Sequence, residues 1–316
     1  MEKKNEMLKP RALKGGASIG IVAPSGPVRG AGELENCIAV LEKQGFSVTA
    51  GKSCSSKYGY LAGSDEIRAA DINNMFRDSS IDAILCLRGG YGTPRILDMI
   101  DYDAVRDNPK LFVGYSDITG LHTVFNKICG LVTFHGPTLA YEIERGLDSF
   151  SRESFIKAVT STDPLGELKN PAGEEIGCLV PGRAEGRLAG GNLSLIAAAI
   201  GTPYEIDTKG KLLFLEDVGE ATYRVDRMLT QLRLAGKFED CAGIILGDFR
   251  DCNVEYEDYG LTLSQVFNDI IAASGKPAIY NFRSGHCSPK ITLPLGVQAV
   301  LDAHKCSLTV TEAALV

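Results

Sequence analysis

An α/β fold is predicted, with a parallel sheet covered by helices on both faces in the first half of the chain. Three observations carry this. Apolar runs in that half are continuous rather than alternating, as in strands buried on both sides. They alternate with segments of helical spacing, the order of a parallel sheet with crossover helices. Arg88–Gly92, Ser116 and His135 follow the ends of such runs, in loops of the kind where parallel sheets gather their chemistry.

Taken in order, residues 1–16 read as a short tail. Ser18 to Ala23 (SIGIVA) is the first strand, ended by Pro24-Ser25-Gly26-Pro27. Cys37, Ile38, Val40 and Leu41 have helical spacing within Glu33 to Gln44, and Gly45 ends that helix. Phe46 to Thr49 is a short strand, and Tyr58 to Gly63 a loop. Ser64 caps a helix to about Phe76, with Ile67, Ala70, Ile72 and Met75 facing inward. The strand Ile81 to Leu87 stops at Arg88-Gly89-Gly90-Tyr91-Gly92, and a helix covers roughly Thr93 to Ile100. Leu111 to Val113 is a strand, followed by a sharp turn and a helix from near Asp117 to about Lys127. Leu131 to Phe134 leads into His135-Gly136-Pro137.

Residues 143–182 are charged and rich in Gly and Pro, which reads as a helix and then a linker. The domains are therefore placed at 1–165 and 183–316, with 166–182 between them. The second domain holds Gly190-Gly191-Asn192, helices over Leu193 to Ile200, Arg224 to Ala235 and Thr262 to Ala273, and strands over Lys211 to Leu215 and Ala242 to Leu246. Its last part is strand-like: Ala278 to Phe282, Lys290 to Leu293, Val297 to Leu301 and Ser307 to Val310.

Composition narrows the function classes. With 44% apolar and 23% charged residues, the 316-residue chain is that of a globular protein. A net charge of -7 argues against nucleic acid or an anionic membrane as partner. No run of about 18 apolar residues occurs, so no transmembrane span is expected, and the polar N-terminus points to the cytoplasm. Nine cysteines without a C-x-x-C pair fit reduced thiols rather than a disulfide framework or a zinc site.

Ser116 is the central chemical candidate. A serine between a strand end and a helix start is held out of the sheet beside free backbone N–H groups. Gly114-Tyr115-Ser116-Asp117-Ile118 keeps the first glycine of G-x-S-x-G but has Ile118 at the second. The same position also suits a helix cap. A serine nucleophile needs a base and the base an orienting acid. Of the four histidines, His122 lies on a helix leading away from the turn, and His304 in a hairpin turn. His135 stands at a strand end, where it either lines the cleft or plays a structural role. His286, in a loop between strands beside Gly285, is the better placed base. Glu216 or Asp217, following an apolar strand, supplies the acid or caps a helix. The N–H of Asp117 and the glycine turn Gly89-Gly90 are candidate oxyanion donors.

Together, Arg88-Gly89-Gly90-Tyr91-Gly92, Gly114-Tyr115-Ser116-Asp117, His135-Gly136-Pro137, Leu215-Glu216-Asp217, Arg224 to Leu232, Gly285-His286 and Pro294-Leu295-Gly296 resemble the L,D-carboxypeptidase family of serine peptidases. That family includes muramoyltetrapeptide carboxypeptidase and the microcin C immunity peptidase. The resemblance implies an N-terminal α/β domain, a C-terminal mixed β/α domain and a site between them. It implies Ser116 as nucleophile, His286 as base and Glu216, not Asp217, as acid, with no metal or other cofactor and a homodimer. The implied substrate is a cytoplasmic murein tetrapeptide, from which the terminal D-alanine is removed. Within that reading the N–H groups of Asp117 and Gly90 bind the oxyanion, Arg88 pairs with the substrate carboxylate or else forms an internal salt bridge, and Gly89, Tyr91 and His135 line the substrate site. The alternatives are an immunity-type peptidase acting on peptidyl or aminoacyl nucleotides and a non-catalytic binder on the same fold.

Overall fold

The computed structural model describes residues 6–252 and 260–316, so the first five residues of the expected tail lie outside the described part. Five strands come from the first half: β1 (Ser18–Val22), β2 (Ser47–Ala50), β3 (Ala83–Cys86), β4 (Leu111–Gly114) and β5 (Thr133–His135). They run parallel in the order β5-β4-β3-β1-β2. The pleat sends alternate residues to opposite faces. Ile21, Leu85 and Val113 face the helix Glu33–Lys43 and the second domain. Val22, Ile84 and Phe112 face the helix Asp65–Arg77 and the helical segment after Ser116. Burial on both sides is why β1, β3 and β4 read as unbroken apolar runs, whereas β2, at the open edge, is largely exposed.

The second half supplies β6 (Gly166–Leu168), β7 (Gly177–Val180), β8 (Arg183–Asn192), β9 (Leu212–Val218), β10 (Gly243–Arg250), β11 (Ala278–Tyr280), β12 (Leu293–Leu295), β13 (Gln298–Asp302) and β14 (Ser307–Val310). Eight of these form a mixed sheet, β6-β14-β13-β8-β9-β10-β11-β7, parallel from β8 to β11 and antiparallel outside them. β12 departs to pair antiparallel with β5 and closes one edge of the first sheet. Phe134 of the first sheet and Phe214 of the second, both fully buried, belong to one continuous apolar cluster. Full burial of such a side chain stabilises by about 1.5–3 kcal/mol, so the two sheets are held by a shared core and not by a hinge alone.

Four expectations need correction. The stretch 166–182 is not a linker: it contributes both edge strands of the second sheet. Edge strands carry polar and charged side chains on their open side, which made this stretch look unstructured. Residues 6–16 are not a free tail, since Leu8 bridges Leu131 and Leu13 N–H donates to Val159 O at 2.8 Å. Thr93 to Ile100 forms two short helical turns, Thr93–Arg95 and Leu97–Met99, because Thr93 is captured by Asp117 and Pro94 follows it. The helix Asp65–Arg77 buries Ala69 rather than Ala70, together with Arg68. Arg68 donates to Pro24 O and, at 2.9 Å, to Gly92 O, tying two loops beside Ser116.

Candidate active site

β4 ends at Gly114, and Ser116 adopts φ 65° before the chain enters the turn Ser116–Ile118 and the helix Thr119–Val124. This left-handed backbone costs a residue with a Cβ about 1–2 kcal/mol and persists only where its surroundings over-determine it. They do so here. The buried Asp117 carboxylate accepts from Ser25 Oγ at 2.5 Å and from Thr93 N–H at 2.8 Å. Burial pushes that carboxyl above its ordinary value, and these two donors oppose the rise. His122, fully buried, has Nε2 2.8 Å from Gly114 O. A carbonyl only accepts, so that nitrogen carries the proton. Gly89 lies so close that a Cβ there would sit 2.9 Å from Ser116 Cβ.

Glu216 and Asp217 lie within β9, not beyond its end. The pleat separates them. Asp217 accepts from Ser194 N–H at 2.9 Å and from Asn192 Nδ2 at 3.1 Å, at the start of the helix Leu193–Ala199. Glu216 turns to the other face, where its Oε2 is 2.6 Å from His286 Nδ1. His286 Nε2 is in turn 3.1 Å from Ser116 Oγ. The register Asn192↔Glu216 and the irregularity in β10 between Leu246 and Phe249 set this end of β9. The loop carrying His286 is fixed by Arg250, whose Nη1 donates to His286 O at 3.1 Å. Burial alone would raise the Glu216 carboxyl, but the His286 imidazole and the interactions of His135 and His286 outweigh it and hold the group at about 2.

The chain Glu216–His286–Ser116 opens on a pocket of about 290 Å³ lined by Arg29, Arg88, Gly89, Gly90, Thr138 and Tyr141, besides Tyr115. Arg88 donates from Nη1 to Pro27 O at 2.9 Å and from Nε to Gly89 O at 3.2 Å. It has no carboxylate partner among the described residues, so it is not in an internal salt bridge. The guanidinium groups of Arg29, Arg88 and Arg145 lie 4.9, 5.1 and 5.2 Å from the Tyr141 ring centre. An electropositive cluster of this kind suits a carboxylate. Gly90, with φ 139°, turns the backbone beside this pocket.

Ser116, Glu216, His286, Asp117, Gly89, Gly90 and Arg88 are thus brought together. Tyr91 is not: it is 48% exposed and pairs with Tyr60 at 5.9 Å, on an open surface beyond Gly90. His135 does not line the cleft either. It is 1% exposed and lies behind Glu216, since the register Gly114↔His135 turns it into the core. Arg29, Thr138, Tyr141 and Arg145 were not foreseen. A loop arginine after a strand was the available signal for Arg29, and the i,i+4 spacing of Tyr141 and Arg145 for that pair, but neither stands out from ordinary surface residues.

A serine lifted from a parallel sheet on a strand–turn–helix, with an imidazole and a buried carboxylate behind it, has the layout of the serine hydrolases. Residues 19–136 match the LD-carboxypeptidase N-terminal domain and residues 185–301 the LD-carboxypeptidase C-terminal domain. The chain belongs to the LD-carboxypeptidase family and is a serine carboxypeptidase hydrolase, which sets aside the non-catalytic reading. It is 45% identical over 298 residues to the "Probable murein peptide carboxypeptidase" of Bacillus subtilis (strain 168), covering 93% of this chain and 91% of the relative. Its structure is similar to that of muramoyltetrapeptide carboxypeptidase from Oxalobacter formigenes, with a TM-score of 0.80, 30% identity, and 93% and 97% of the two chains covered. It is also similar to microcin C7 self immunity protein MccF, known from Escherichia coli, in complex with aspartyl sulfamoyl adenosine. There the TM-score is 0.89, with 26% identity and 98% and 100% covered.

Proposed function

We propose that this chain releases the terminal D-alanine from murein tetrapeptides in cytoplasmic cell-wall recycling. The observation that carries the reading is the hydrogen-bonded chain Ser116–His286–Glu216 opening on the arginine-lined pocket. The names of the relatives support the substrate class. His286 Nε2 takes the Ser116 proton as Oγ attacks the carbonyl of the L-centre that precedes D-alanine. Glu216 holds the imidazole in its working tautomer and stabilises the imidazolium. The N–H groups of Asp117 and Gly90 receive the oxyanion. The C–N bond then breaks, and His286 gives its proton to the leaving amine. Water, deprotonated by His286, attacks the acyl-enzyme, and the shortened peptide leaves with a new carboxylate. Arg88 and Arg29 bind the carboxylate of the terminal residue. The reading includes no metal or other cofactor, and the family resemblance supports a homodimer.

D-Alanine release from purified murein tetrapeptide tests this, with the wild type and Ser116→Ala compared and no metal added. Release by the wild type and loss in the variant are expected. A folded wild type that releases nothing overturns the murein reading. One observation favours a second substrate class: the exposed Tyr60–Tyr91 pair beside Gly90 offers ring faces suited to a nucleobase, and MccF is a structural relative. An aminoacyl nucleotide assayed in parallel decides between them.

A further inference from the structure

We propose that His135 is a positioning residue for the acid: its Nε2–H is directed at Glu216 Oε1, so that the carboxylate presents Oε2 alone to His286. This rests on the triad reading above. Glu216 is fully buried, and Oε2 is occupied by His286 Nδ1. Oε1 has no hydrogen-bond partner among the described residues, and neither has His135 Nε2. The two atoms face each other at 3.8 Å. Buried polar atoms are nearly always paired, and these two orphans, one a donor and one an acceptor, lie within reach of each other. A shift of under an ångström closes the contact.

The surroundings hold the imidazole in this aim. Its ring packs edge-on against Phe214, at 5.2 Å and 79°, and against Tyr115, at 5.8 Å and 70°. Its backbone pairs with Gly114 on one side and Leu293 on the other. Thus the strand next to the one that presents the nucleophile also braces the acid, which comes from the other domain. The chemistry requires such a brace. When His286 becomes an imidazolium, Glu216 must remain ionised and keep its angle. A carboxylate with one oxygen unserved in an apolar site is free to rotate, and it holds a shared proton more tightly. Other titratable groups near Glu216 are Asp217, Asp248, Tyr115 and Cys252, and His122 lies behind His135 with ring centres 6.3 Å apart. Of these, none reaches Oε1.

The test measures labelling of Ser116 by a fluorophosphonate probe across pH, which needs no knowledge of the natural substrate. His135→Phe keeps a packed ring and removes the donor. His135→Gln restores an N–H at the reach of Nε2. His135→Phe is expected to slow labelling about ten- to hundredfold, the range of a hydrogen bond to a charged group, and to move the low-pH limb of the rate to higher pH. His135→Gln is expected to recover most of both. Equal rates and pH profiles for wild type and His135→Phe overturn the inference, as does a His135→Gln variant as slow as His135→Phe with the wild-type pH profile, which is the signature of packing alone. Should His135→Phe not fold, His135→Ala with and without added imidazole takes its place, and rescue by imidazole is the supporting result and its absence the contrary one. A wild type not labelled at Ser116 removes the triad reading itself, and the inference with it.

Discussion

Gly285 lies against Glu216 so closely that a Cβ on it would stand 2.6 Å from Oε2, the oxygen that faces His286. Its φ of 118° is itself closed to residues with side chains. Gly285→Ala is therefore expected to abolish most activity by displacing the carboxylate, and to lower stability by about 1–3 kcal/mol. Steady-state kinetics and urea unfolding on the same preparation check this. Wild-type kcat in the variant would refute it.

Ser116, the proposed nucleophile, sits in a left-handed turn. Ser116→Ala is expected to reduce D-alanine release by on the order of 10⁶-fold, as for other triad nucleophiles. Ser116→Gly should be equally inactive yet slightly more stable than Ser116→Ala, by about 0.5–1 kcal/mol, because only glycine sits at φ 65° without penalty. Differential scanning calorimetry of the two variants reads this difference. A less stable glycine variant would show that the turn stores no strain.

Arg29 and Arg88 should govern KM. Replacing either by Ala removes a cation from the pocket that faces Ser116, and KM for a free-acid tetrapeptide should rise about tenfold or more for each while kcat changes less. With a C-terminally amidated peptide, variants and wild type should converge. Equal losses on both peptides would place these arginines in a structural role.

His122 makes stability pH-dependent. Burial, with a smaller contribution from His135, lowers it from 6.5 to about 3 despite the bond to Gly114 O. Its folded form stays neutral where its unfolded form takes up a proton, so stability is full above about pH 6.5 and declines as pH falls from there toward 3. One proton corresponds to a slope of about 1.4 kcal/mol per pH unit. Glu216 acts further down: its carboxyl is lowered from 4.5 to about 2, so its contribution is present above about 4.5 and lost as pH falls through 2. Unfolding midpoints in urea from pH 8 to 4 should therefore drop, and His122→Gln, which retains an N–H for Gly114 O, should flatten that drop. An unchanged slope would contradict it.

Much of this architecture is readable from residues whose role is local. The apolar runs at Ser18, Ile81 and Leu111 announce buried strands because their burial is two-sided. Ser64 does cap its helix, accepting from Ile67 N–H. Ser116 at a strand–helix turn and His286 beside Gly285 could be singled out because turn chemistry is written in neighbouring residues. What depends on distant partners was not readable from the residues themselves, and only the family resemblance pointed to Glu216 over Asp217. Glu216 and Asp217 are chemically alike and adjacent, and only the pleat of β9 decides which meets His286. His135 looked like a cleft residue because its pairing with Gly114, which buries it, joins residues 21 positions apart. Residues 166–182 looked like a linker because edge strands and loops share a polar composition. Arg29 and Arg88 reach Tyr141 only through the tertiary fold, whereas Arg145 meets it locally, four residues on.

β12 has a consequence for the order in which this molecule can be made. A growing chain that has passed β5 still lacks the strand that covers β5's open edge, and lacks the imidazole at 286 as well. Synthesis runs from the N-terminus, and domains tend to fold as they emerge. The first sheet therefore waits, with one edge bare, for a segment that arrives only after the second sheet is largely built. On the proposed mechanism, the catalytic base and completion of that edge are delivered by the same short stretch, from His286 to Leu295. On that mechanism a prematurely ended chain presents Ser116 without the imidazole proposed to activate it.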